Sequence, residues 1–131
     1  FKNVRITMLE LKSTDNDPAE RDELIGYTSH SYEFMTRVKA MAAVERIYTG
    51  VISGNATHDE GTHAQNEALV KNLVDAIINP NGRLANPAIK VLKKLMEKQD
   101  FHQQAVVYYE AGKWTDWEKE RLKGPFGEKS K

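Results

Sequence analysis

THAQNEALVKNLVDAIINPNG, residues 62 to 82, carries the start, the body and the stop of a helix in 21 positions. Thr62 followed by Gln65 is a capping-box pair, in which the hydroxyl and the amide can each satisfy an amide of the first turn. Leu69, Val70, Leu73, Val74, Ile77 and Ile78 then repeat at three- and four-residue intervals, the period of one helical face. Asn79-Pro80-Asn81-Gly82 is a strong turn signal that stops it. An apolar stripe with a cap before it and a breaker after it predicts an all-α chain if the same grammar recurs on both sides.

It does recur. Upstream, Asp17-Pro18-Ala19-Glu20 offers an Asp cap, proline at the first helical position and an early glutamate. Apolar positions follow from Leu24 through Tyr27, Phe34, Met35, Val38 and Met41 to Tyr48, Val51 and Ile52. They predict an amphipathic helix over about 18 to 52, unbroken or interrupted near Gly26 to Ser31, and ended by Gly50 and Ser53-Gly54-Asn55. Downstream, Asn86-Pro87 restarts a helix with Ile89, Leu92, Leu95 and Met96 facing inward. Asp100 with Gln103 opens another through Ala105, Val106 and Tyr109 to Gly112, and Thr115 with Glu118 opens a short last one, closed by Gly124-Pro125.

Two stretches resist that grammar. Val4, Ile6 and Met8 alternate as in a strand or extended arm, whereas Val4, Met8 and Leu11 equally suit a helix. Ala105 to Tyr109, AVVYY, is β-branched and aromatic and is the second place for a strand. The expectation is one all-α domain of four to five helices over 17–123. An extended N-terminal arm, with a possible minor strand, occupies 1–16, and a flexible tail occupies 124–131.

Composition bounds the function. The 131 residues suffice for one domain with a real core. No apolar run approaches the ~20 residues of a bilayer span, so no membrane partner is expected. The absence of cysteine removes disulfides, thiolate metal sites and cysteine nucleophiles, and fits a cytoplasmic protein. The 19 basic and 19 acidic side chains cancel. Residues 1–65 hold 7 basic and 10 acidic groups, and residues 66–131 hold 12 and 9. Attraction to nucleic acid therefore needs a local patch.

The most conspicuous polar stretch is Thr57 to His63, THDEGTH. His58 and His63 are five apart, not the three or four that place two ligands on one helical face. Both threonines can cap, and Asp59 and Glu60 suit a helix N-terminus, so the stretch is expected to be a helix start. A weaker alternative is a metal site of His30, His58 and Asp59, since His30 precedes the His58-Asp59 pair by 28 positions. That arrangement is similar to the HD-type metal phosphohydrolases, in which a histidine about one helix upstream joins a His-Asp pair on a divalent ion. The polar, loop-like surroundings of His58 depart from the buried helix end of that family. There is no G-x-S-x-G, no P-loop and no G-x-G-x-x-G, and no cofactor is expected.

GRLANPAIKVLKKLMEK, Gly82 to Lys98, holds five basic residues, Arg83, Lys90, Lys93, Lys94 and Lys98, against Glu97 alone. Lys90, Lys93 and Lys94 lie opposite the apolar stripe, with Lys98 continuing their face. Such a face can contact phosphates or simply keep an amphipathic helix soluble. The run GRLANPAIKVL also resembles a stretch of one family of small terminase subunits of tailed phages, where a glycine and an Asn-Pro precede a leucine-rich helix. The resemblance covers about 15 residues and implies a helical ring oligomer that recognises DNA. The Leu-Gly-Leu-Thr-Pro-like continuation of that family is missing after Lys98.

Tyr108, Tyr109, Trp114, Trp117 and Phe126 fall within 19 residues. Tyr109 and at least one tryptophan are expected in the core. Trp114, Trp117 and Tyr108 are the candidate partner-binding set, because exposed tryptophan and tyrosine dominate interface energetics. The reading that results is a non-enzymatic helical interaction domain, self-associating or docking a protein partner. The alternative is a nucleic-acid-binding helical oligomer.

Overall fold

A computed structural model describes residues 2–12, 17–50 and 61–127. Among them are seven helices and no strand. These are α1 (Lys2–Leu11), α2 (Pro18–Gly26), α3 (Phe34–Tyr48), α4 (His63–Ile77), α5 (Gly82–Leu95), α6 (Gln99–Ala111) and α7 (Asp116–Phe126). The all-α class holds, but four to five helices was too few. One extra helix comes from the N-terminal segment, and another from the division of the long upstream stripe into α2 and α3.

The extended arm expected over 1–16 is instead a helix from residue 2. Its inner face is Ile6 and Leu9, both buried, together with Glu10. Ion pairs fix its direction. Arg5 donates to Glu23 through Nε and Nη2, each at 2.8 Å, and Lys12 reaches Glu20 at 2.6 Å, so α1 runs antiparallel to α2. Lys39 donates to the Asn3 carbonyl and Arg46 pairs with Glu10, so α1 runs parallel to α3. The alternation of Val4, Ile6 and Met8 loses because the spacing of Ile6, Leu9 and Glu10 fits the cleft between two existing helices. The first helix is therefore part of the domain core rather than an appendage.

The break between α2 and α3 is built around Thr28. Its hydroxyl donates to the Ile25 carbonyl at 2.6 Å and accepts from Asn72 of α4 at 3.0 Å. Buried Arg37 donates from Nε to the Thr28 carbonyl at 2.9 Å and from Nη2 to the Asn72 carbonyl at 3.3 Å. Burial lowers the pKa of this guanidinium from its usual value, partly opposed by Asp75. A turn whose backbone is satisfied by side chains from two helices is a defined element, so the stripe does not run through it.

Capping follows the sequence closely at α4 and α7. Thr62 with Gln65, and Thr115 with Glu118, both form reciprocal capping boxes. Gln65 also donates to the Pro18 carbonyl and to Asp22, which ties the start of α4 to α2. Asp17 caps α2 through the Ala19 amide, with Pro18 as its first residue. At α5 the cap is Asn81, which accepts from Arg83, and the helix begins at Gly82 rather than at Asn86-Pro87. Pro87 is then the sixth residue of the helix and removes a single backbone bond, the one to the Arg83 carbonyl. AVVYY lies inside α6, not in a strand: Ala105 is buried in the common core, Val106, Tyr108 and Tyr109 pack against that core, and Val107 faces solvent.

The helix α7 continues through Gly124-Pro125 to Phe126, so the boundary expected at 123/124 falls inside it. Phe126 is buried and stacks on Tyr109 at 4.4 Å and 11°. That burial offsets the proline in the last turn, and Gly127 at φ 65° ends the helix. The remainder of the expected tail, 128–131, lies outside the described residues.

The core is one cluster. Helix α5 lies at its centre, packed on α3, α4 and α7, while α4 also receives α2 and α6. Its inner face is Leu84, Ala85, Ala88, Val91, Leu92 and Leu95.

Candidate interaction surfaces

Most large apolar side chains are covered. Among the described residues the exposed ones are Val4, Met8, Leu11, Met35, Val107 and Trp117. Three of the six lie on α1 at positions i, i+4 and i+7, which is one stripe on one face. Val4 is 63% exposed, Met8 46% and Leu11 67%. Helix α1 is therefore apolar on two faces, with Ile6 and Leu9 inward and Val4, Met8 and Leu11 outward. The outward stripe is the helical alternative already visible in the sequence, but the structure turns it to solvent.

The charged side chains beside that stripe have partners. Arg5 and Lys12 are drawn to Glu23 and Glu20 of α2, and Glu10 to Arg46 of α3. The Lys2 ammonium sits 5.8 Å from the centre of the Tyr32 ring. Hydrogen bonding to Arg5 lowers the Glu23 pKa from 4.5 to about 2, and Tyr27 adds a second donor at 2.9 Å.

The aromatic set divides. Trp114 is half-buried, donates from Nε1 to the Tyr109 carbonyl at 2.8 Å, and lies near Tyr108 and parallel to Tyr109. With Phe126 these rings lock the turn between α6 and α7. Burial, and secondarily Asp75, raises the Tyr108 pKa above its usual value. Trp117 alone of the three candidate partner residues is exposed, at 49%, with the Arg121 guanidinium 5.1 Å from its ring centre.

The basic set is mostly brought together. Arg83, Lys90, Lys93 and Lys94 are all exposed and share the polar face of α5. Arg83 also lies over the Phe34 ring at 5.0 Å. Lys98 sits beyond the end of α5 as the N-cap residue of α6, and it is half-buried. Glu45 and Glu97 line the same shallow hollow as Lys90, Lys93 and Lys94, and Glu97 pairs with Lys94 at 3.4 Å.

Of the weak metal set, His30 is exposed in the turn between α2 and α3, while His58 and Asp59 lie outside the described residues. Among the described residues no group of three His, Asp or Glu side chains is placed to hold a metal ion. A feature the sequence did not announce is a groove of about 640 Å³ between α4 and α6, whose lining includes Glu67, Val70, Asp100, Val107 and Tyr108. No periodicity signals it, because it depends on how two helices are spaced.

No protein-family model, no curated protein and no solved structure matches this chain. The class defined here is an all-α domain of seven described helices, in which no helix is long and apolar enough to cross a membrane.

Proposed function

We propose that this chain is a non-enzymatic helical interaction and assembly domain that docks a protein surface through the outer face of α1. The observation that carries the reading is the uncovered stripe of Val4, Met8 and Leu11 on a helix whose charged side chains are all engaged with α2, α3 or a ring. Single exposed apolar residues are ordinary, whereas an aligned set on one helix supports a contact surface. Helix-in-surface docking uses this i, i+4, i+7 pattern of anchors. The proposed setting is the cytoplasm, in keeping with the cysteine-free composition.

The test is a photo-crosslinking residue placed at position 8 of the full chain in its host, with position 113 as an exposed control. Crosslinks from position 8 to one defined polypeptide, and none from position 113, support the reading. Equal or absent crosslinking from both positions refutes it.

A second reading, nucleic-acid binding, is favoured by the common exposed face of Arg83, Lys90, Lys93 and Lys94. It predicts a gel shift that weakens steeply with salt and is lost on Lys90→Ala with Lys94→Ala. No shift at low salt eliminates it.

A further inference from the structure

The groove between α4 and α6 shares no residue with the α1 stripe, and what it binds is independent of the reading above. One wall is a side of α6, from Asp100 through Gln103, Gln104, Val107 and Tyr108 to Ala111. At 1.5 Å per residue that wall is about 16 Å long. Tyr48 touches both Asn66 of α4 and Phe101 of α6, and Asp75 of α4 acts on Tyr108 of α6, so the two helices run parallel. The groove is therefore graded along its length. Glu67 and Asp100 stand towards the end where both helices begin, and Val70, Val107 and Ala111 lie further along.

Three polar groups of the groove lack partners. Neither Glu67 nor Asp100 has an ion-pair partner among the described residues, and no lysine or arginine lines the groove. Asn66, which lines the groove, is 7% exposed. Its Oδ1 accepts from Tyr48, while its Nδ2 has no acceptor among the described residues. A buried amide donor left without an acceptor is costly, so an incoming carbonyl gains a bond there. Beyond these groups Val107 is 60% exposed. We propose that the groove docks a short basic and aliphatic peptide segment of a protein partner. Its lysine or arginine meets Glu67 and Asp100, a backbone carbonyl accepts from Asn66, and an aliphatic side chain covers Val70 and Val107.

Charge complementarity and shape select that occupant. Two carboxylates repel nucleic acid and anionic lipid. Glu67, Asp100, Gln103 and Val107 are all exposed, so the groove is too open to enclose a small ligand, whereas a peptide can lie along it. Residues 51–60 of this chain contain no lysine or arginine, and 128–131 contain no apolar residue, so neither segment carries both anchors. The basic face of α5 in a second copy has no exposed aliphatic side chain beside it, since Ile89 packs on the core. The distance from position 100 to position 107 along α6 is about 10 Å, the reach of about three extended residues. The partner segment therefore carries its basic residue about three positions from a bulky aliphatic one.

The experiment selects a random heptapeptide library, displayed on phage, against the full chain at about pH 8, where histidine is neutral. Recovered sequences are made as synthetic peptides and titrated by fluorescence anisotropy. The expected peptides pair a lysine or arginine with a leucine, isoleucine, valine or methionine about three positions away. Their affinity should fall at least about ten-fold on Glu67→Lys with Asp100→Lys, and on Val107→Asp, and should not change on Met8→Lys. All these positions are exposed, so thermal midpoints within about 2 °C of wild type show that the variants fold. The side-chain amide signals of Asn66 should shift in the nitrogen–proton NMR spectrum as peptide is added. No enrichment, enrichment of peptides without a basic residue, or affinity indifferent to the double charge reversal overturns the proposal. So does a static Asn66 amide. A mass of the chain alone that rises with concentration, and returns to monomer in the double variant, gives the groove to a second copy and overturns it too. Failure here leaves the crosslinking result from position 8 standing, and the reverse also holds.

Discussion

The hydroxyl of Tyr48 donates to Oδ1 of Asn66 at 2.7 Å, and both side chains are buried. This bond joins the last turn of α3 to the first turn of α4. The Tyr48 ring is edge-on to Phe101 at 6.3 Å and lies under the Arg21 guanidinium at 5.7 Å. Gly61 closes the arrangement, with φ 81° and no room for a Cβ, which would collide with the Tyr48 hydroxyl.

Tyr48→Phe keeps the ring contacts and orphans a buried acceptor on Asn66. The expected loss is about 1–2 kcal/mol of unfolding free energy, measured by urea denaturation. Gly61→Ala combines a left-handed backbone with the collision and should cost more, about 2–3 kcal/mol. Equal stability of Gly61→Ala and wild type would contradict the contact.

Gln65 makes a further link between α4 and an earlier helix, because its amide serves the capping box and α2 together. Thr62→Ala should cost about 1 kcal/mol, the usual worth of an N-cap. Gln65→Ala should cost at least as much, since it frees the Pro18 carbonyl and Asp22 as well. The pair of thermal midpoints checks the order.

The Arg5–Glu23 bridge predicts an acid dependence. The carboxyl of Glu23 titrates near 2 when folded and near its ordinary 4.5 when unfolded. A depressed folded pKa gives stability that is present above about 4.5 and is lost as pH falls towards 2. The bridge is partly solvent-exposed, so its contribution is modest and screened by salt. Glu23→Gln should flatten the fall in thermal midpoint between pH 5 and pH 2. An unchanged acid limb would show that the bridge does not form in solution.

The two tryptophans should behave differently. Trp114→Phe loses the bond to the Tyr109 carbonyl and should cost about 1–2 kcal/mol. Trp117→Phe should fall within about 0.5 kcal/mol of wild type. Iodide should quench Trp117 fluorescence more strongly than that of Trp114, read on the single-tryptophan variants. Gly112→Ala should resemble Trp114→Phe, because a Cβ there runs into the indole.

Much of this was legible in local sequence. The caps at Asp17, Thr62 and Thr115 act on the next three amides, so the information lies within one turn. The basic face of α5 was legible for the same reason, since Arg83, Lys90, Lys93 and Lys94 fall on one side of any helix through them. Lys98 was not, because whether α5 reaches it depends on where α6 must begin. The aromatic cluster was visible as composition, but its division into locked Trp114 and exposed Trp117 was not.

The sequence by itself determined that the chain is helical and where α2, α4 and α7 start, because capping and periodicity are properties of neighbouring residues. Only the tertiary structure decided which apolar stripes are core. Ile6–Leu9 and Val4–Met8–Leu11 have equal claims as helical faces, and the first is buried because Glu23, Glu20 and Arg46 hold α1 with that side against α2 and α3. The burial of a stripe depends on what packs against it, and those partners lie 8 to 36 residues away along the chain.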